Sequence, residues 1–143
     1  MKVAFFLTPK SETVWLPETA TLRQAFERMN AHGYTAIPLL DDSGGYVGTL
    51  TEGDILRHAL GSGEKWLTTA EGTLLRDIRR RTNNRAVHID AEVETLIARA
   101  VAQNFVPVVD DRDIFIGIAT RRLIMEHLAK RAGVWHARAR ASS

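Results

Sequence analysis

The sequence predicts a mixed α+β (α/β) fold built from two tandem β-α-β-β-α copies related by pseudo-two-fold symmetry. Residues 38–60, PLLDDSGGYVGTLTEGDILRHAL, align without a gap against residues 107–129, PVVDDRDIFIGIATRRLIMEHLA. Identities fall at Pro38/Pro107, Asp41/Asp110, Asp42/Asp111, Gly48/Gly117, Thr51/Thr120, Ile55/Ile124 and His58/His127. Self-similarity at a fixed offset marks a duplicated supersecondary unit. Apolar periodicity also passes from strand to helix spacing in the same order in both copies.

Each copy opens on a short alternating strand, at Val14 and Leu16 or at Val87 and Ile89, ending at Pro17 or Asp90. Matching these strands at an offset of 73 makes the second copy four residues shorter before Pro107. Leu22, Ala25, Phe26 and Met29, and then Val93, Leu96, Ala100 and Val101, recur at helical spacing and predict helices buried on one face. Two hairpins follow: residues 36–40 and 46–50 about the turn at 41–45, and residues 105–109 and 114–119 about the turn at 110–113. Helices over 52–60 and 121–130 close the copies, and Gly61-Ser62-Gly63 reads as a linker. One such unit has too little surface to bury alone, so two copies packed sheet to sheet are expected to share a core.

Composition narrows the function. The 143 residues hold no cysteine, which excludes disulfide scaffolds, thiolate metal sites and cysteine nucleophiles and makes a cytoplasmic location the expectation. The apolar run at residues 3–7 is too short for a signal peptide or a membrane span. Net charge is −3 over residues 1–71 and +5 over residues 72–143, yet the arginines are scattered and no groove-reading motif accompanies them. Nucleic acid is therefore a minor expectation. No Ser-His-Asp arrangement, P-loop, GxGxxG motif or spaced metal-ligand set is present, so no enzyme and no cofactor are expected.

Three places carry binding chemistry. Thr51 and Thr120 stand just before a helix, as N-caps do. Thr51 and Asp54 read either as a capping box or as a hydroxyl and carboxylate one turn apart, able to hold a ribose. Thr120-Arg121-Arg122 puts two cations at the positive end of a helix dipole, at a cost of roughly 0.3–1 kcal/mol each. A docked phosphate would offset that cost; so would exposure to solvent or pairing with Asp110, Asp111 and Asp113. At Gly33-Tyr34-Thr35-Ala36-Ile37-Pro38 the proline implies incompletely paired backbone. The N–H and C=O groups of Thr35 and Ala36 would then read an adenine edge between Val14, Ile37 and Phe105, unless this is only a strand entering the core.

The repeat, with Gly48-x-x-Thr51-x-x-Asp54 and its echo Gly117-x-x-Thr120, resembles the tandem CBS domains of a Bateman module. The resemblance implies CBS repeats at 1–63 and 64–130, a basic C-terminal tail at 131–143, clefts for adenosine ligands and a homodimer. Gly33 to Pro38 with Thr120-Arg121-Arg122 is more closely similar to the stand-alone CBS proteins of Gram-positive bacteria that bind cyclic di-AMP. By that resemblance the ligand site comprises Val14, Gly33, Tyr34, Thr35, Ala36, Ile37, Thr120, Arg121 and Arg122, and Thr51, Asp54 and Phe105 form a second site for AMP or ATP. Leu123 stands where the family's ribose-binding Asp would be. The function implied is a regulatory sensor acting on partner proteins, the synthetase of stringent-response nucleotides among them.

Overall fold

The computed structural model describes residues 1–81 and 83–132. Most of the expected tail, with Trp135, Arg138 and Arg140, lies outside the described residues.

Two sheets carry the fold. In the first half β2 (Leu16–Pro17), β3 (Ala36–Leu40) and β4 (Tyr46–Thr51) lie in that order, β3 parallel to β2 and antiparallel to β4. In the second half β5 (Val87–His88), β6 (Phe105–Val109) and β7 (Phe115–Thr120) repeat the arrangement, and β1 (Thr8–Pro9) adds antiparallel to β7. Helices α1 (Leu22–His32) and α2 (Glu52–Ser62) belong to the first copy, and α4 (Val93–Ala102) and α5 (Arg121–Arg131) to the second. A short α3 (Trp66–Thr69) follows α2. The first strand of the first copy is thus later than the sequence predicts and that of the second copy shorter, because Val14 and Ile89 fall outside the registers. Gly61 and Ser62 complete α2 instead of forming a linker, with the Ser62 hydroxyl donating to the His58 carbonyl.

Local chemistry accounts for these elements. A capping box of Thr21 and Gln24 starts α1, and Gly33, at φ 68°, turns the chain out of it in a left-handed conformation open to glycine. In each hairpin the repeated aspartate holds the turn: Asp41 accepts from the N–H groups of Ser43 and Gly45, and Asp110 from those of Arg112 and Ile114. Helix spacing misplaces two residues. Phe26 and Val101 face outward, 42% and 79% exposed, while Leu22, Ala25 and Met29, and Leu96 and Ala100, form the buried faces.

The core is divided, not shared. One cluster joins Leu22, Ile37, Leu39 and Leu50 with Leu75 and Ile78; the other joins Leu96, Val106, Val108 and Ile124 with Val3 and Phe6. Each copy is closed by the segment preceding the other. Leu22 N–H donates to the Thr73 carbonyl and Leu75 N–H to that of Ala20; equivalently, Val93 N–H donates to Met1 and Val3 N–H to Ala91. Packing therefore crosses the expected boundary at residue 63 in both directions. These bonds, with the registers Leu16↔Leu39 and Val87↔Val108, set the upstream offset at 71, not 73. Val14 accordingly corresponds to Arg85, and the second copy is two residues shorter before Pro107.

The exchanged segments lie close against the repeated glycines. A Cβ on Gly117 would sit 2.1 Å from the Thr8 carbonyl oxygen, and one on Gly48 would sit 2.5 Å from Asn83 Oδ1. Beside Gly48, the Tyr46 hydroxyl donates to the Asn84 carbonyl at 2.6 Å and meets Thr49 Oγ1 at 2.6 Å. Burial pushes this phenol up to about 12 from 10.0. The neutral form is favoured in the folded state, so its contribution is complete below the unfolded value and is lost as pH rises to the folded one. Wild-type stability is expected to fall by about 2–3 kcal/mol relative to Tyr46→Phe between about pH 10 and pH 12. Denaturant titrations of both proteins check this; parallel pH profiles would contradict it.

Candidate functional site

Besides β1, which only the second sheet carries, the two sheets diverge in the slot beside the central strand. In the first half β2 pairs with β3 only at Leu16↔Leu39 and Pro17↔Leu40. Upstream the strands part, leaving Val14 level with Ile37 but unpaired. Pro38, which has no N–H to donate, stands where they separate. Val14 packs half-buried against the first core, Ile37 is fully buried and Thr35 is exposed. Ala36 lies across from Thr51, so the slot adjoins the start of α2, whose Glu52 N–H donates to the Thr35 carbonyl. Tyr34 stacks on His32 at 5.6 Å.

In the second half the same slot is filled. Gln103 accepts from Arg85 N–H at 2.9 Å and donates to the Arg85 and Phe105 carbonyls, and Asn84 donates to the Phe105 carbonyl at 3.1 Å. Arg85 is the counterpart of Val14, so this amide bonds the backbone that is left free in the first copy. Both amides are 8% exposed, and Phe105 replaces Ala36 with a ring that is also 8% exposed. A buried amide bonded at both its oxygen and its nitrogen, as Gln103 is, is costly to displace. Gln103 and Asn84 were not apparent from sequence, because a polar residue ahead of a strand gives no sign of which distant backbone it meets.

The capping reading of Thr51 and Asp54 is realised. Thr51 N–H donates to Asp54 Oδ2, and Asp54 N–H to Thr51 Oγ1. Asp54 is 1% exposed and its Oδ1 also accepts from Arg57 and from Arg81 N–H. A ribose hydroxyl would have to displace one of these donors. Phe105, grouped with Thr51 and Asp54 by the resemblance, lies instead across from Thr120.

Thr120 caps α5 by accepting from Leu123 N–H at 3.3 Å. Arg121 has a partner the sequence did not suggest: it donates to the Ala100 carbonyl at 2.7 Å and to the Val101 carbonyl at 3.2 Å, at the end of α4. Helix C-termini favour cations, and this offsets the cost at the start of α5. Arg122 pairs with Glu126 at 3.1 Å, and its side chain is 86% exposed. The aspartates of the hairpin turn pair with neither. Among the described residues no cluster of His, Asp and Glu could hold a metal ion, and no helix is long and apolar enough to cross a membrane.

Comparison with known proteins fits this architecture. Residues 7–61 match the CBS domain family model. No curated protein matches the chain. A hypothetical conserved protein of Geobacillus kaustophilus superposes with a TM-score of 0.80 at 26% identity, covering 92% of this chain and 98% of its own. The CbpB protein of Listeria monocytogenes, solved with c-di-AMP, gives 0.78 at 21% identity, covering 92% and 98%. CBSX2, solved with AMP, gives 0.72 at 21% identity over the same shares.

Proposed function

We propose that this chain, whose residues 7–61 match the CBS domain model and whose fold is that of tandem CBS modules, is a non-enzymatic sensor of an adenine nucleotide, cyclic di-AMP foremost, that controls partner proteins according to ligand. The observation that carries this reading is the asymmetry of the two slots. The Thr35 carbonyl is taken by Glu52 N–H, but β2 does not extend to the level of Val14 and Ala36, which leaves the edge of β3 away from β4 to meet an adenine there, whereas Gln103, Asn84 and Phe105 occupy the counterpart. Arg122, exposed at the start of α5, supplies a guanidinium suited to phosphate. A ligand that prefers one arrangement of the two halves would bias the surface a partner meets. The apolar groove of Phe26, Ile55, Leu56 and Trp66 between α1 and α2 suits a homodimer.

Sensing of AMP or ATP at Thr51 and Asp54 is the second reading, favoured by the likeness to an AMP-bound neighbour and opposed by the committed carboxylate of Asp54. The two arginines separate structure from binding. Arg121→Ala is expected to cost about 1 kcal/mol of stability through the lost helix-end bonds. Arg122→Ala should leave stability within about 0.5 kcal/mol and weaken cyclic di-AMP by roughly 1.5–3 kcal/mol. Calorimetry and urea denaturation check both; unchanged ligand affinity in Arg122→Ala would remove its phosphate role.

A further inference from the structure

Each copy leaves an apolar helix face exposed. In the first, a hollow of about 380 Å³ between α1 and α2 has Phe26, Asn30, Leu56, Ala59 and Trp66 among its walls. In the second, Val101 near the end of α4 and Met125 and Leu128 on α5 stand exposed. Single exposed apolar residues are ordinary, whereas apolar groups gathered at one place mark an interaction face.

The repeat puts the two faces in correspondence. At offsets of 71 for α1 with α4 and 69 for α2 with α5, Asn30 matches Val101, Leu56 matches Met125 and Ala59 matches Leu128. The faces therefore share a plan and differ in relief. Where the first copy has Asn30 and the small Ala59 beside a hollow, the second raises Val101 and Leu128. They also differ in charge. With the histidines neutral, α2 carries one net negative charge, whereas α5 carries three net positive ones, from Arg121, Arg122, Lys130 and Arg131 against Glu126.

We infer that two copies of this chain associate antiparallel, the α1–α2 face of each seated on the α4–α5 face of the other. The inference rests on the reading of a homodimer and adds its orientation. Because the faces correspond through the repeat, a two-fold axis can join either like or unlike faces while covering the same four helices. A parallel pair would set hollow on hollow and the basic α5 against itself. An antiparallel pair seats Val101 and Leu128 in the hollow and sets α5 against the acidic α2. Close packing at the centre of an interface and the avoidance of facing like charges both select it.

The chain has no cysteine, so introduced thiols report contacts cleanly. Leu56→Cys, Met125→Cys and the double variant, all at exposed positions of the full chain, are treated with a short bismaleimide and resolved on a denaturing gel. The expected result is roughly tenfold more cross-linked dimer from the double variant than from either single one. Equal cross-linking in the single variants overturns the orientation and keeps the homodimer. Sedimentation as a monomer overturns both, and a sedimenting dimer that no variant cross-links overturns the use of these faces. A swap tests the fit. Ala59→Leu, which gives α2 the residue that α5 carries, should weaken dimerisation about tenfold or more, and adding Leu128→Ala should restore it, because the facing volumes are then conserved. Failure of the second substitution to restore the dimer overturns the antiparallel seating.

Discussion

Gly117→Ala is expected to destabilise the protein by about 3–5 kcal/mol, the sum of overpacking and backbone strain. The added Cβ would lie 2.1 Å from the Thr8 carbonyl oxygen and 3.1 Å from Pro9 Cα, both backbone atoms of the strand paired with β7. Gly117 also has φ 153°, a conformation that side chains disfavour. Relief requires β1 to leave β7, which would draw Val3 and Phe6 from the second core. Gly48→Ala provides the comparison. Its clashes are with the ends of the Asn83 and Arg80 side chains, which can move, and the loss is the Asn83 bond to Thr49 N–H, worth about 1 kcal/mol. Urea denaturation of both variants measures the difference; equal losses would mean that β1 yields as readily as a side chain.

Ala36→Phe is expected to abolish cyclic di-AMP binding while leaving the fold intact. The substitution gives the first copy the residue that the second already carries at Phe105, across from Thr120 as Ala36 is across from Thr51. A ring is therefore compatible with the backbone at this place, yet it would occupy the space proposed for an adenine beside Val14. Circular dichroism should match wild type. Retained binding by a folded Ala36→Phe protein would mean that the ligand enters elsewhere.

The repeat, both hairpins and the capping box of Thr51 and Asp54 were legible because each depends on residues within one turn or one strand pair. The exchange of end segments was not, since Val3 meets Ala91 and Leu75 meets Ala20 across long stretches of chain. That exchange is also why the expected shared core is two cores. At the candidate site, the break in pairing beside Pro38 was legible through the chemistry of a proline in a strand. Arg121 was misread because charge at a helix start was weighed against ligands and acids, and not against the carbonyls ending a neighbouring helix.

The central claim is that one slot is open to adenine and its counterpart is closed. Calorimetric titration of cyclic di-AMP into wild-type and Ala36→Phe protein, with AMP and ATP in parallel, tests it most directly. The account predicts one cyclic di-AMP per chain in wild type, weaker AMP and ATP, and no binding in Ala36→Phe. Binding of AMP or ATP alone, or silence of the wild type toward cyclic di-AMP, would contradict it.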